Sequence, residues 1–103
     1  MKLDWESEAE SLRHFAGWRR RNAEWYPEES RRNLEAAACL ERIADDLVKP
    51  ETEVLRRRVE MLIGDDPFKF GDEWGLLTLY PPSSAVELLQ YLADSLERFA
   101  LVA

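Results

Sequence analysis

The chain has few of the residues on which most small-protein chemistry depends. Among its 103 residues there is one cysteine, Cys39, and one histidine, His14. A single cysteine cannot form an intrachain disulfide, which favours a reducing, cytoplasmic setting. The sequence contains no Cys/His metal-binding spacing, no HExxH motif, no nucleophile motif and no phosphate-binding glycine loop. We therefore expect neither enzymatic activity nor a cofactor.

Long hydrophobic runs are also missing. No apolar segment approaches the roughly 20 residues that span a bilayer, and the acidic start, MKLDWESEAE, lacks the apolar region of a signal peptide. The formal net charge of −7 disfavours loose attachment to nucleic acid or to anionic lipid. Because 46% of the residues are hydrophobic, the chain can nevertheless bury a core. We expect one soluble domain over residues 1–103 and no membrane association.

Glycine and proline are scarce and concentrated in one stretch. Residues 64–82 hold three of the four glycines and three of the five prolines. This composition predicts a long, semi-ordered connection. The stretch also holds Phe68, Phe70, Trp74 and Tyr80. These aromatic side chains need a surface, so we expect the connection to fold back onto the rest of the chain.

Outside residues 64–82 the pattern is that of amphipathic helices. Apolar residues recur at three- and four-residue spacing, and the prolines and capping residues divide them into four segments. The sequence therefore predicts an all-α, four-helix domain in which the first three helices pack antiparallel.

Local signals set the predicted helix ends. The first helix begins at Asp4 or at Ser7, where Ser7 and Glu10 resemble a capping box, and it ends near Trp25. Proline is favoured at the first helical position and glycine just beyond the last. The remaining boundary residues are Pro27, Val48, Pro50, Gly64 and the Ser84/Glu87 capping box.

Four carboxylates lie close together in sequence, at Asp65, Asp66, Asp72 and Glu73. Their spacing does not match an EF-hand loop, which needs oxygen ligands at alternate positions and a glutamate at the twelfth. We interpret them as a solvated turn rather than as a Ca²⁺ or Mg²⁺ site. A small enzyme that uses them to hold a metal is the weakest of the functional hypotheses.

Arginine is clustered at residues 19–21, 31–32 and 56–58. Most of these arginines have an acid one helical turn away, which favours a salt-bridged, solvated face. Arg19 and Arg58 do not, and both fall on the apolar side of their helices. We expect each to pair with an acid from another helix, with Glu8 and Glu41 as the candidates. The alternative is that they contact a partner molecule.

The first helix carries two apolar stripes. One contains Trp5, Leu12 and Phe15, and the other contains His14, Trp18 and Trp25, about 100–180° round the helix. Either the 64–82 connection covers the second stripe, or the stripe is exposed for another protein. Tryptophan, tyrosine and arginine are enriched at interface hot spots.

These features favour a small, acidic, non-enzymatic protein-binding module of the inhibitor, immunity-protein or adaptor type. The alternative is a dimeric, nucleic-acid-associated regulator that uses the arginines at 19–21 and 56–58. The sequence names no partner protein and is compatible with a homodimer. The candidate partner-binding residues are His14, Trp18, Arg19, Trp25, Arg58, Phe68, Phe70 and Trp74.

Overall fold

A computed structural model describes the backbone of residues 2–65 and 67–102. It also describes their side chains, except those of residues 67–70, 72 and 99–102. All the regular structure in the described part of the chain is helical, which confirms the all-α prediction. The helices are α1 (Trp5–Trp25), α2 (Ser30–Leu47), α3 (Glu53–Ile63), α4 (Pro67–Leu79) and α5 (Ala85–Val102).

The start of α1 is fixed by Asp4 rather than by Ser7. The Asp4 carboxylate accepts hydrogen bonds from the Ser7 backbone N–H at 3.2 Å and from the Ser7 hydroxyl at 2.9 Å. Of the two predicted starts, Asp4 is therefore the N-cap, and Ser7 lies in the first turn. The predicted capping box of Ser7 and Glu10 is wrong, because Ser7 is already helical and Glu10 pairs with Arg13 instead.

Proline opens the next two helices as predicted, through a single 3₁₀ turn in each case. Pro27–Glu29 precedes α2 and Pro50–Thr52 precedes α3. The second turn is tied down by Thr52, whose hydroxyl donates to the Leu47 carbonyl at 2.8 Å. Gly64 ends α3 with a φ of 60°, a conformation that glycine adopts without steric cost.

Residues 64–82 contain α4, a helix additional to the four that the sequence pattern predicted. Two glycines inside the segment lower its helix propensity, since each costs about 1 kcal/mol relative to alanine. Burial of one face offsets this cost: Trp74 and Thr78, one turn apart, are each 7% exposed. Tertiary packing thus overrides local composition here. The fold consists of the four expected helices with α4 added before the last.

The helix α5 begins with the predicted serine cap. The Ser84 hydroxyl accepts a hydrogen bond from the Glu87 backbone N–H at 3.1 Å. In a standard capping box the glutamate carboxylate accepts a hydrogen bond from the N-cap backbone N–H. Here the Glu87 carboxylate accepts from the residue before the cap, from the Ser83 hydroxyl at 2.7 Å and the Ser83 backbone N–H at 3.1 Å. These bonds satisfy backbone donors that the first turn of a helix leaves free.

All five helices contribute to one hydrophobic core. The pairs α1/α2 and α3/α5 pack closely, and α4 rests mainly on α5. The start of α1 is tied to α3, because Trp5 Nε1 donates to Glu60 Oε1 at 2.7 Å. The fully buried large side chains are Leu12, Leu40, Ile43, Leu47, Val59, Ile63, Leu88, Leu89, Leu92 and Leu96. The opposite side of α1 is left outside this core.

Candidate functional site

An open apolar groove of about 430 Å³ separates α1 from α4. Most of its wall is hydrocarbon, and α1 and α4 supply all the described residues that line it. Those residues are His14, Phe15, Trp18, Arg19, Gly75, Thr78 and Leu79.

The α1 wall of the groove combines His14 and Trp18 of the second sequence stripe with Phe15 of the first. Trp5 and Leu12 of the first stripe are buried in the core, but Phe15 is 40% exposed, Trp18 48% and Trp25 66%. His14 is exposed, and its ring meets the Phe15 ring edge-on with centroids 6.3 Å apart. Two tryptophans on one side of a helix thus remain accessible to another molecule.

The α4 wall of the groove is built from its exposed side. Thr78 is buried, and its hydroxyl donates to the Gly75 carbonyl at 2.9 Å. Gly75 and Leu79, by contrast, are exposed. The described part of residues 64–82 therefore flanks the tryptophan stripe, and Trp18 and Trp25 remain exposed.

Trp74 does not belong to the exposed surface. It is 7% exposed and lies in the hydrophobic core. Its position on the buried face of α4 leaves little of the ring accessible to a partner, and its role in partner binding stays a prediction. The side chains of Phe68 and Phe70 lie outside the described residues.

Arg19, a buried residue of α1 in the lining of the groove, forms hydrogen bonds to α2 and to α4. It is 9% exposed. One guanidinium nitrogen donates to Asn33 Oδ1 at 2.9 Å and another to the Leu79 carbonyl at 2.5 Å. Leu79 is the last residue of α4, where carbonyl groups lack helical partners and the helix dipole is negative. Arg19 therefore caps α4 and holds its end against α1.

The predicted ion pair of Arg19 with Glu8 or Glu41 is wrong, because its two described acceptors are neutral. Glu41 pairs with Arg20 instead. Glu8 has no ion pair with any described residue. Partial burial raises the pKa of its carboxyl, and the negative charge of Asp4 adds to the effect.

Arg58 does pair across helices, as predicted, but its acid is Glu97 on α5 rather than Glu8 or Glu41. The hydrogen bond to Glu97 raises the pKa of the guanidinium. Both side chains are largely solvated, at 47% and 43% exposure. Arg58 lies on α3, which does not line the groove, and its charge is already neutralised by a neighbour.

The other clustered arginines are mostly engaged within the chain. Arg57 bonds Glu53 at 2.7 Å, and Arg56 donates to the Lys49 carbonyl at 2.9 Å. The guanidinium groups of Arg21 and Arg32 form no ion pair or hydrogen bond with any residue that the structure describes. Of the six arginines at 19–21 and 56–58, Arg20, Arg57 and Arg58 are thus paired with acids.

The acidic segment provides no described metal centre. Within the described residues, no three His, Cys, Asp or Glu side chains converge as metal ligands would. Asp66 and the Asp72 side chain lie outside those residues. Asp65 is exposed, in line with a solvated position.

Sequence reasoning identified the α1 wall of the groove and missed the α4 wall. A usable signal was present: Pro67 follows two aspartates, and proline opens the preceding two helices in the same way. Given α4, the three- and four-residue spacing of Trp74, Leu77 and Thr78 marks its buried side, which leaves Gly75 and Leu79 outside.

No helix in the described part of the chain is long and apolar enough to cross a membrane. Comparison of the chain with protein-family models, with curated proteins and with solved structures finds no match.

Proposed function

We propose that this chain is a non-enzymatic protein-binding module whose contact surface is the α1/α4 groove and the neighbouring Trp25. The observation that carries the proposal is the exposure of Trp18 and Trp25, at 48% and 66%, beside an open apolar groove. Partly exposed tryptophans in a concave apolar surface are typical of the anchors on which protein interfaces depend.

The lining of the groove suits binding better than catalysis. Its hydroxyl, on Thr78, is committed to the Gly75 carbonyl. Its guanidinium, on Arg19, is committed to Asn33 and Leu79. General acid–base and nucleophilic catalysis both require a second group within hydrogen-bonding distance of the first. His14 is the remaining titratable side chain of the described lining, and its ring meets the apolar Phe15 ring edge-on.

An inhibitor, immunity-protein or adaptor role fits a small acidic chain with one such surface. The lone Cys39, half-buried on α2, is compatible with the cytoplasmic location that this role would have. The proposal assigns partner contact to Trp18, Trp25 and Leu79, and assigns support of the groove to Arg19.

The test uses the full chain as bait in a lysate of its source organism, with Trp18→Ala and Leu79→Ala as variants. Met61→Ala is the matched control, because Met61 is apolar and 81% exposed but lies on α3. We expect both groove variants to weaken binding of the captured protein by about 2 kcal/mol or more, the hot-spot range. Their unfolding free energies should stay close to that of the wild type. If both groove variants bind as tightly as the Met61 control, the surface is not the interface.

A further inference from the structure

We propose that the groove accepts an amphipathic helix of another protein, one with an apolar face and acidic residues along its flank. This inference rests on the proposed function and specifies the partner's chemistry. Helix-in-groove recognition places alternate turns of an apolar helix face into a hydrophobic cleft. Three features of the described surface favour such an occupant: its walls, its glycines and its charge.

The walls of the groove are two helices, and the aromatic rings of its described lining lie on the α1 side. Phe15 and Trp18 project from α1, while the α4 wall presents Gly75, Thr78 and Leu79. A third helix can pack against both walls, with its side chains against the aromatic rings of α1 and its backbone close to Gly75 of α4. Helix axes pack about 8–10 Å apart, and the closest packing requires small residues at the contact.

The glycines of α4 have no explanation within the described chain. A Cβ at Gly71 or Gly75 would have no contacting atom within 4 Å. Each glycine nevertheless costs a helix interior about 1 kcal/mol relative to alanine. The two lie one turn apart on the same side of α4, and Gly75 lines the groove. Close approach of a partner backbone would account for both.

The charge on the α1 side of the groove is opposite to that of the whole molecule. The chain carries 21 acidic residues and a net charge of −7. Even so, the side of α1 that carries Trp18 and Trp25 has no Asp or Glu at 100° per residue. Its polar residues are Ser7, Ser11, His14, Arg21 and Asn22.

Arg21 gives this side of α1 an available cation. Arg13 and Arg20 on the same helix pair with acids of α2, whereas Arg21 has no ion pair with any described residue. An acidic flank on the partner would complement Arg21. A second copy of this chain docked symmetrically would instead bring the same side of α1, with its Arg21, against itself. Charge complementarity therefore favours a different, acidic partner over a homodimer.

The experiment uses two synthetic helical peptides of about 18 residues, long enough to hold helical structure. Both have leucines spaced three and four residues apart on one face; one has glutamates and the other lysines along the flank. Each is titrated against the full chain by tryptophan fluorescence and by calorimetry. We expect the glutamate peptide to bind about tenfold more tightly, and this preference to shrink as salt is added.

Two variants and one control localise the binding. Arg21→Glu should abolish or reverse the preference between the peptides, and Gly75→Leu should block both by filling the groove. Arg98→Glu on α5 is the charge-matched control and should leave the preference intact. Circular dichroism verifies that each variant is folded. If Gly75→Leu fails this check, Arg21→Glu still decides the question.

The inference is overturned if neither peptide saturates the chain at about 1 mM, or if the lysine peptide binds as well as the glutamate peptide. It is also overturned if sedimentation shows a dimer that Trp18→Ala dissociates, since the occupant is then a second copy. Failure of the inference and failure of the proposed function are distinguishable. If binding of the captured protein depends on Trp18 and Leu79 but the chain does not prefer the glutamate peptide, the proposed function stands. Only the inference that the partner is an acidic amphipathic helix is then rejected.

Discussion

At the scale of single residues, Arg19 is the side chain that does most to hold the site in shape. It is buried, and its bonds to Asn33 and to Leu79 at the end of α4 connect α2 and α4 through α1. We expect Arg19→Met to lower the free energy of unfolding by about 2–4 kcal/mol, because it leaves the buried Asn33 amide oxygen and the part-buried Leu79 carbonyl without their donor. Arg19→Lys should recover only part of this, since lysine lacks the planar fork.

Urea denaturation followed by circular dichroism measures the effect. The matched control is Arg21→Met, two residues along α1, where the side chain is exposed and the unfolding free energy should hardly change. Equal stability of the Arg19→Met and Arg21→Met variants would contradict the capping role.

Glu8 gives a pH dependence with a defined sign. Burial raises the pKa of its carboxyl above the ordinary 4.5, so the folded chain binds its proton more tightly than the unfolded chain does. Ionised Glu8 therefore destabilises the fold, fully so at pH 7, and protonation removes the penalty as pH falls towards the unfolded-state pKa. We expect Glu8→Gln to unfold at higher temperature than the wild type at pH 7, and the difference to disappear near pH 4. A difference that grows on acidification would contradict this assignment.

The ion pair of Arg58 and Glu97 should contribute little to stability. Loss of Arg58 would cost a few kcal/mol if it stranded a buried acid. Both side chains are in fact solvated, so Glu97 can be hydrated once its partner is gone. We expect Arg58→Met to shift the thermal midpoint only slightly. Added salt should shrink this small effect further, and a large loss of stability would mean that the pair is shielded from solvent.

At the scale of the helices, capping and proline signals predicted four elements because those signals are local. Pro27, Pro50, Gly64 and Ser84 act within one or two turns of where they stand. The helix α4 was not predicted, because its stability comes from Trp74 and Thr78 packing against distant residues.

The candidate site, too, could be predicted from the sequence only where it depends on local signals. The outward stripe of α1 follows from helical periodicity, whereas the neutral acceptors of Arg19 lie 14 and 60 residues away.

The glycines of α4 lead to a prediction at this scale. Gly71→Ala and Gly75→Ala should each raise the free energy of unfolding by about 0.5–1 kcal/mol, since the added methyl meets no described atom within 4 Å and helix propensity improves. Gly64→Ala is the contrasting control, because its φ of 60° makes any side chain unfavourable there. Denaturant titration measures all three. Destabilisation by both α4 variants would mean that the glycines are needed for the chain's own packing, and would weaken the case for a docked helix.

At the scale of the whole molecule, the four tryptophans divide into two pairs with different roles. Trp5 and Trp74 are 6% and 7% exposed and belong to the core, whereas Trp18 and Trp25 face solvent. The core draws on all five helices, so removing a large side chain from it should destabilise the whole domain at once. The exposed pair contributes little to the core and forms part of the proposed binding surface.

We therefore expect Trp74→Ala to cost about 3–5 kcal/mol, the range for truncating a buried aromatic residue, within a single cooperative transition. Trp18→Ala and Trp25→Ala should each cost less than about 1 kcal/mol. Equilibrium unfolding followed by far-ultraviolet circular dichroism measures these values, and acrylamide quenching of the remaining tryptophans provides an independent check of exposure. Substituting Trp18 and Trp25 together should remove most of the readily quenched fluorescence. If Trp18→Ala proved as destabilising as Trp74→Ala, the second stripe of α1 would be a structural element, and the surface proposed for the partner would be covered in solution.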